Sequence, residues 1–324
     1  MARRAAWWQA ATGATAYLLA IDGGSQSTKV SVIDETGAVH ATGRTALRPY
    51  ELGPDGYAVH PGDDLWDSLV VAIREALDAF AGTPADITAI GLCSIRYCRA
   101  LLDGHGRLTE PVLSWMDARV GRPLADPAPS VATVASAAGY LTMRLTGERR
   151  DNAATYQGMW PIDRATRDWS SDPAQEQRTG MPRRLLPDLV DPGERLGSVT
   201  TEAAAATGLA EGCPVHATAN DKAVEALGAG LLAPPALLLS LGTYIASMTP
   251  GTDPDAGEAR VWVNDAAVPG RYLYESGGIR RGMSTVSWLR DLVGSAATGV
   301  EPMATLDWLE ARTTSTARCW RASR

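Results

Sequence analysis

Between Tyr17 and Lys29 the chain reads YLLAIDGGSQSTK, which puts an acid (Asp22), two glycines (Gly23 and Gly24), the polar side chains Ser25, Gln26, Ser27 and Thr28 and a cation (Lys29) into eight consecutive positions. Glycines let backbone N–H groups approach a ligand closely, hydroxyls and an amide add donors, and lysine adds charge, a combination suited to phosphate. The spacing is not that of the P-loop, where a lysine directly follows a second glycine and a helix begins. A turn after a strand is by default only a turn, so the residues alone leave both readings open. Two further groups pose the same choice. Trp115, Asp117 and Arg119 suit stacking on a sugar ring and bonding its hydroxyls, or equally a packed tryptophan beside a surface ion pair. Asn220-Asp221 ends a strand where a helix starts, so Asp221 is either a helix cap or a carboxylate offered to a ligand.

The elements that position these groups follow from periodicity. Tyr17–Ile21 is a short apolar run typical of a covered strand, residues 30–33 return as a second strand, and 38–44 add a third. Residues 61–80 carry apolar side chains at a helical period, with Asp63 and Asp64 near the start, and Ile87–Cys93 is again a strand, so strand, helix and strand form an α/β layer. The segment Ser94-Ile95-Arg96-Tyr97, polar apart from Ile95, follows where that strand would face a crevice. The spacing predicts a helix over 131–145 stopped by Gly147, a polar cluster at 151–155, and a surface connection over 165–200, dense in Pro, Asp and Arg. A helix capped by Thr200 and Gly208, a strand over 213–219 and a helix over 222–232 come next. Leu237–Met248, LLLSLGTYIASM, then repeats the opening pattern of strand, small turn and strand, with Gly242 and Thr243 in the turn. Two such hairpins, one in each half, suggest two similar domains facing one nucleotide. Strands at 262–264 and 271–274 and a helix over 283–293 complete the pattern, and residues 312–324 have no periodicity.

Composition limits the function classes. The 324 residues are 45% hydrophobic and 21% charged, enough for two domains with a substantial core. A formal charge of −7 gives no electrostatic grip on nucleic acid or an anionic membrane. Four cysteines without a C-x-x-C pair and four scattered histidines point to a reduced cytoplasmic protein without structural zinc. The basic start MARRAAWWQAATGATAYLLAI superficially resembles an export signal, but polar residues interrupt its apolar run, which favours an extension over residues 1–16 preceding the first strand. No segment reaches the ~20 apolar residues of a membrane span.

Taken in order, these motifs resemble the FGGY carbohydrate kinases, the family of xylulokinase and glycerol kinase, built on the actin-like ATPase (ribonuclease H-like) α/β fold. IDGGSQSTK resembles the first phosphate motif, SWMDAR the W-x-D-x-R element, and RLTGERRDNAAT the segment before a substrate-contacting Asn. GCPVHATANDKAVEALGAG resembles the stretch with the catalytic Asp, usually G-D-Q, and LSLGTYIASM the second phosphate motif. The resemblance implies ATP and Mg²⁺ as cofactors and phosphorylation of a sugar or polyol. Asp221 becomes the general base and Asp22 the carboxylate near the metal. Gly23, Gly24, Ser25, Gln26, Ser27 and Lys29 join Gly242 and Thr243 around the phosphates, and Arg96, Tyr97, Trp115, Asp117 and Asn152 contact the sugar. It further implies a sugar-binding domain over 17–220 and part of a nucleotide-binding domain over 221–324, and leaves a homodimer open. Ser94-Ile95-Arg96-Tyr97 matches neither S-G-Q nor the Arg-Glu pair of glycerol kinases, so the sugar is not named. The chain also stops before the glycine-rich adenosine motif, and its tail TTSTARCWRASR resembles nothing in the family. The expectation is therefore a first domain largely present, an incomplete second domain, and a shortened kinase whose alternative role is sugar binding without catalysis.

Overall fold

A computed structural model describes residues 16–241, 245–256 and 261–279, together with Gly282, Thr285 and Leu289. The N-terminal extension, the turn at Gly242-Thr243, the helix expected over 283–293 and the aperiodic tail lie wholly or largely outside the described residues.

The opening hairpin forms as its pattern predicts. Strands β1 (Tyr17–Gly23) and β2 (Ser27–Asp34) pair antiparallel, and β3 (Val39–Ala46) extends them. Helix α1 (Asp64–Ala79) lays Leu65, Leu69, Ala72, Ile73 and Ala76 on this sheet. It crosses β3 so closely that a Cβ on Gly43 would fall 2.0 Å from the Ala72 carbonyl oxygen. Gly43→Ala is therefore expected to cost about 2 kcal/mol or more in urea denaturation, because a backbone atom cannot move aside as a side chain can. Asp63 and Asp64 do more than favour the helix dipole. Asp63 receives Tyr140 and Arg144, and Asp64 receives the Arg48 guanidinium at 2.9 Å.

Strand β4 (Ile87–Ser94) lies parallel to β1. Helix α2 spans Ala137–Thr146, starting later than periodicity suggests because β-branched residues in Thr133–Ala135 pair as a strand with Ala100–Leu102. Ser136 caps α2 by accepting from the Gly139 N–H at 3.1 Å, and Gly147 ends it at φ 71°. The expected surface connection over 165–200 is corrected. It holds helix α3 (Pro173–Thr179) and strand β5 (Arg195–Ser198), and it buries Trp169, Met181, Leu185 and Leu186 with Tyr156 and Trp160 in a second core. Isolated apolar residues among prolines and charges give no period, yet each fills one hole. Helix α4 (Thr201–Thr207) has the predicted caps at Thr200 and Gly208.

Strand β6 (Pro214–Asn220) pairs parallel with β4, which completes a six-stranded sheet in the order β5-β6-β4-β1-β2-β3. Helix α5 (Asp221–Gly228) follows without a linker and is shorter than predicted, since Gly230 turns the chain at φ 75°. Strands β7 (Leu238–Leu241), β8 (Ile245–Gly251), β9 (Val261–Asp265) and β10 (Tyr272–Ser276) form a second sheet, β7-β8-β10-β9. The β7–β8 hairpin repeats the antiparallel pairing of β1–β2. Ala223 and Ala226 of α5 join Met248 and Leu273 in a third core against this sheet. None of the described helices is long and apolar enough to cross a membrane.

Two buried titratable groups give opposing pH slopes. Burial raises Asp151 from 3.8 to about 6 although Tyr156, Ser136 and the Asn152 N–H donate to it. Burial lowers His60 from 6.5 to about 4, and its ring nitrogens have no partner among the described residues. A raised carboxyl contributes stability that is present below its unfolded pKa and lost as pH rises through 6; a depressed imidazole contributes stability present above 6.5 and lost as pH falls through 4. Each amounts to about 3 kcal/mol, at 1.36 kcal/mol per unit. Relative to wild type, Asp151→Asn is expected to lose stability between pH 7 and 4, and His60→Phe to gain it, read as urea midpoints at both pH values.

Candidate active site

The carboxyl ends of the three parallel strands β1, β4 and β6 converge on a cleft of about 2000 Å³ between the two sheets. Ligands of α/β sheets bind at such strand ends. Asp22, Gly24, Ser25, Gln26, Ser27, Lys29, Arg96, Tyr97, Trp115 and Asp221 line it, which brings together most of the residues singled out from the sequence.

At the first hairpin the turn is tied from behind. Tyr50 donates its hydroxyl to the Ser25 carbonyl at 2.9 Å, and the Leu47 N–H bonds the Gln26 carbonyl at 2.9 Å, so carbonyl oxygens that would repel an anion are engaged. Thr28 does not serve as a ligand donor, because its hydroxyl pairs with Ser68 of α1 at 2.8 Å. Gly23 lies behind the lining; a Cβ there would approach the Ser94 hydroxyl to 2.8 Å, so glycine is what lets β1 end against β4. Lys29 and Asp22 pair at 3.2 Å with both side chains about half exposed. Cys93 donates its thiol to Asp22 at a sulfur–oxygen distance of 3.8 Å, and burial with the nearby Asp22 and Asp221 charges raises it well above the usual thiol value. It stays a thiol and offers no nucleophile.

The junction of β6 and α5 separates the two roles that the sequence left open. Asn220 is the cap: its side-chain oxygen accepts from the Ala223 N–H at 3.1 Å, while its amide donates to the Ala154 carbonyl at 2.8 Å. Asp221, first residue of the helix, keeps its carboxylate for the cleft and accepts the Lys222 N–H at 2.9 Å. An irregularity in the β6–β4 register between Ala217 and Asn220 aims this junction. Burial raises the Asp221 pKa and the charge of Asp22 adds to this, whereas Arg96 and Lys222 oppose it. Lys222 in turn bonds Glu225 at 2.7 Å and Ser240 of β7 at 2.6 Å.

Arg96 is held by a residue with no mark in the sequence reading. Both of its terminal nitrogens bond the two carboxylate oxygens of Glu275 on β10 at 2.7 Å, and Asn264 on β9 adds a bond to Glu275 at 2.6 Å. Burial alone would lower the arginine, but Glu275 overcomes this and holds it above its ordinary value. The one available signal was a charged residue inside the apolar run YLYES. Tyr97 beside it takes the left-handed conformation, φ 65°, which is uncommon for a bulky side chain. Tyr57, Gln157 and Trp262, which no sequence motif marks as site residues, complete the walls.

Two expected sugar contacts are not brought to the cleft lining. Asp117 is fully buried, and its carboxylate accepts from the Ala58 N–H at 2.8 Å and from the Arg119 guanidinium at 2.9 and 2.7 Å. It fastens the wall formed by Trp115 and Tyr57, over whose ring Arg119 stacks at 4.6 Å. The Asn152 side-chain oxygen caps a short helical turn at Ala154, 2.9 Å away. Gly242 and Thr243 lie outside the described residues.

Comparison with known proteins matches residues 17–123 and 126–228 to the N-terminal domain of the FGGY family of carbohydrate kinases. The chain is 48% identical over 280 residues to the uncharacterized sugar kinase YgcE of Escherichia coli (strain K12), covering 86% of itself and 57% of that protein. It is 26% identical over 320 residues to an autoinducer-2 kinase of Klebsiella pneumoniae, covering 85% of itself and 58% of the relative. Thus it spans somewhat more than half the length of these relatives. Among solved structures, xylulose kinase from Rhodospirillum rubrum superposes with a TM-score of 0.77 at 24% identity, over 91% of this chain and 67% of the other. Plasmodium falciparum glycerol kinase with ADP superposes at 0.72 and 16% identity, over 85% and 63%. These likenesses establish the actin-like ATPase fold, and with a family match over more than half of its residues the chain belongs to the FGGY carbohydrate kinases.

Proposed function

We propose that this cleft transfers the terminal phosphoryl group of ATP to a hydroxyl of a sugar or polyol, with Asp221 as general base. The observation that carries the reading is the placement of the Asp221 carboxylate and the Asp22–Lys29 turn on one cleft, at the ends of β6 and β1, the two strands that lie parallel to β4 on either side of it. Phosphoryl transfer needs positioning and charge neutralisation more than covalent catalysis, and the cleft offers no thiolate. In this reading residues 17–220 bind the sugar and the nucleotide-binding part begins at Asp221.

Each step falls to a named residue. Asp221 accepts the proton from the sugar hydroxyl late in the transfer, and Arg96 and Lys222 stabilise its ionised form against burial. Lys29 leaves its exposed pair with Asp22 for the phosphate at little cost, since such pairs are worth about 1 kcal/mol or less. Gly24 to Ser27 cradle the phosphates, while Trp115 and Tyr97 bound the sugar. Among the described residues no group of three or more acidic, histidine or cysteine side chains can hold a metal. Mg²⁺ usually keeps its waters and binds through one or two carboxylates plus phosphates. Asp22 would hold it, and the ion would supply charge neutralisation.

The test is ADP release from ATP and Mg²⁺ over a panel of pentoses, ketoses and polyols. ADP release dependent on a sugar is expected. Sugar binding in a thermal-shift assay without ADP release from any member would replace the kinase by a sugar-binding protein without catalysis.

A further inference from the structure

Beneath the cleft, the segment 152–157 carries three buried polar groups without a partner among the described residues: the Asn152 amide nitrogen, the Thr155 hydroxyl and the Gln157 amide nitrogen. Of these residues only Gln157 lines the cleft, and it does so while 3% exposed. Its amide is not free to turn. The Tyr97 hydroxyl donates to its side-chain oxygen at 3.0 Å, so the opposite end, with two N–H donors, is the end left for a ligand.

Tyr97 is built for this task at a cost. Its backbone holds the left-handed conformation at φ 65°, its ring meets Trp262 edge-on at 6.4 Å between centroids, and the Arg96 guanidinium lies 5.3 Å from its ring centre. A strained residue fixed on three sides makes a rigid holder for the amide. A buried donor without an acceptor penalises the unliganded fold, whereas an apolar side chain of the same shape would not. Arg96 beside it has its terminal nitrogens committed to Glu275, so the donor presented here is the uncharged amide.

Building on the kinase reading of the cleft, we propose that Gln157 is a specificity-determining residue: its side-chain amide, oriented by the Tyr97 hydroxyl, donates a hydrogen bond to an uncharged oxygen of the sugar, a hydroxyl or a carbonyl.

The probes are D-xylulose, xylitol, glycerol and D-gluconate, titrated calorimetrically into the full chain, with melting temperatures measured without ligand. For the probe that wild type binds best, Gln157→Met is expected to weaken binding about tenfold or more while the unliganded melting temperature stays equal or rises, because the variant removes an unpaired donor. Gln157→Glu, which has no N–H to offer, should not restore binding, and Tyr97→Phe should lose a smaller factor by letting the amide turn. Unchanged binding in Gln157→Met overturns the assignment and leaves the kinase reading intact. A melting temperature lowered by more than about 5 °C in Gln157→Met, alongside the binding loss, assigns Gln157 to the fold and also overturns it. A wild-type chain that binds none of the four probes overturns both.

Discussion

Glu275→Ala is expected to destabilise the protein by about 3 to 5 kcal/mol in urea denaturation, the range for removing one partner of a buried ion pair. Glu275 is 0% exposed and takes both terminal nitrogens of Arg96 and the Asn264 amide. Without it, a desolvated guanidinium and an amide are left unpaired at the contact between the two sheets. The size of the loss reflects the stranded charge rather than the net worth of the pair. For that reason the double variant Arg96→Met/Glu275→Leu should recover most of the stability, since apolar replacements of buried pairs are often neutral. Glu275→Gln, which still bonds one guanidinium nitrogen, should fall between. A double variant no more stable than Glu275→Ala alone would contradict this account.

Asp221→Asn should lower sugar-dependent ADP release by about 10²- to 10⁴-fold, the usual contribution of a general base. Asparagine preserves the bond from the Lys222 N–H and the helix start, so the fold is expected to persist. Burial raises the Asp221 pKa, which means that the ionised carboxylate is a cost to the folded state at neutral pH. The stability a raised carboxyl supplies is present below its unfolded pKa and lost as pH rises through the folded one. The neutral variant should therefore be as stable as wild type near pH 3.5, below the ordinary carboxylate value of 3.8, and more stable at pH 8, by thermal melting. Activity lost and stability gained from one substitution is the signature of a charge kept for chemistry. An inactive variant that melts lower at pH 8 would place Asp221 among structural residues instead.

Local order was legible in the sequence because its causes are local. The apolar run before Asp22, the Thr200 and Gly208 caps and the repeated hairpin at Leu237–Met248 each depend on residues within a few positions. Partnerships across the chain were not legible. Arg96 reads as a sugar contact until Glu275, 179 positions away, arrives to neutralise it. Asp117 and Asn152 carry the side chains a sugar site wants, yet both spend their oxygens on neighbouring backbone N–H groups. Asp221 reads equally as a helix cap or a carboxylate offered to a ligand, and only the fold shows Asn220 taking the cap instead. Trp169, Met181 and Leu185 fill a core from a stretch whose prolines and charges hide any period.

Among the described residues the chain passes from the large sheet to the small one once, where β6 gives way to α5 with no residue between. Asp221 therefore stands at that crossing. Were the two sheets to swing about that crossing, a point would travel in proportion to its distance from it, so the rims of the cleft would sweep far while this carboxylate would barely shift. On the kinase proposal, a base mounted there would keep its aim in open and closed postures alike.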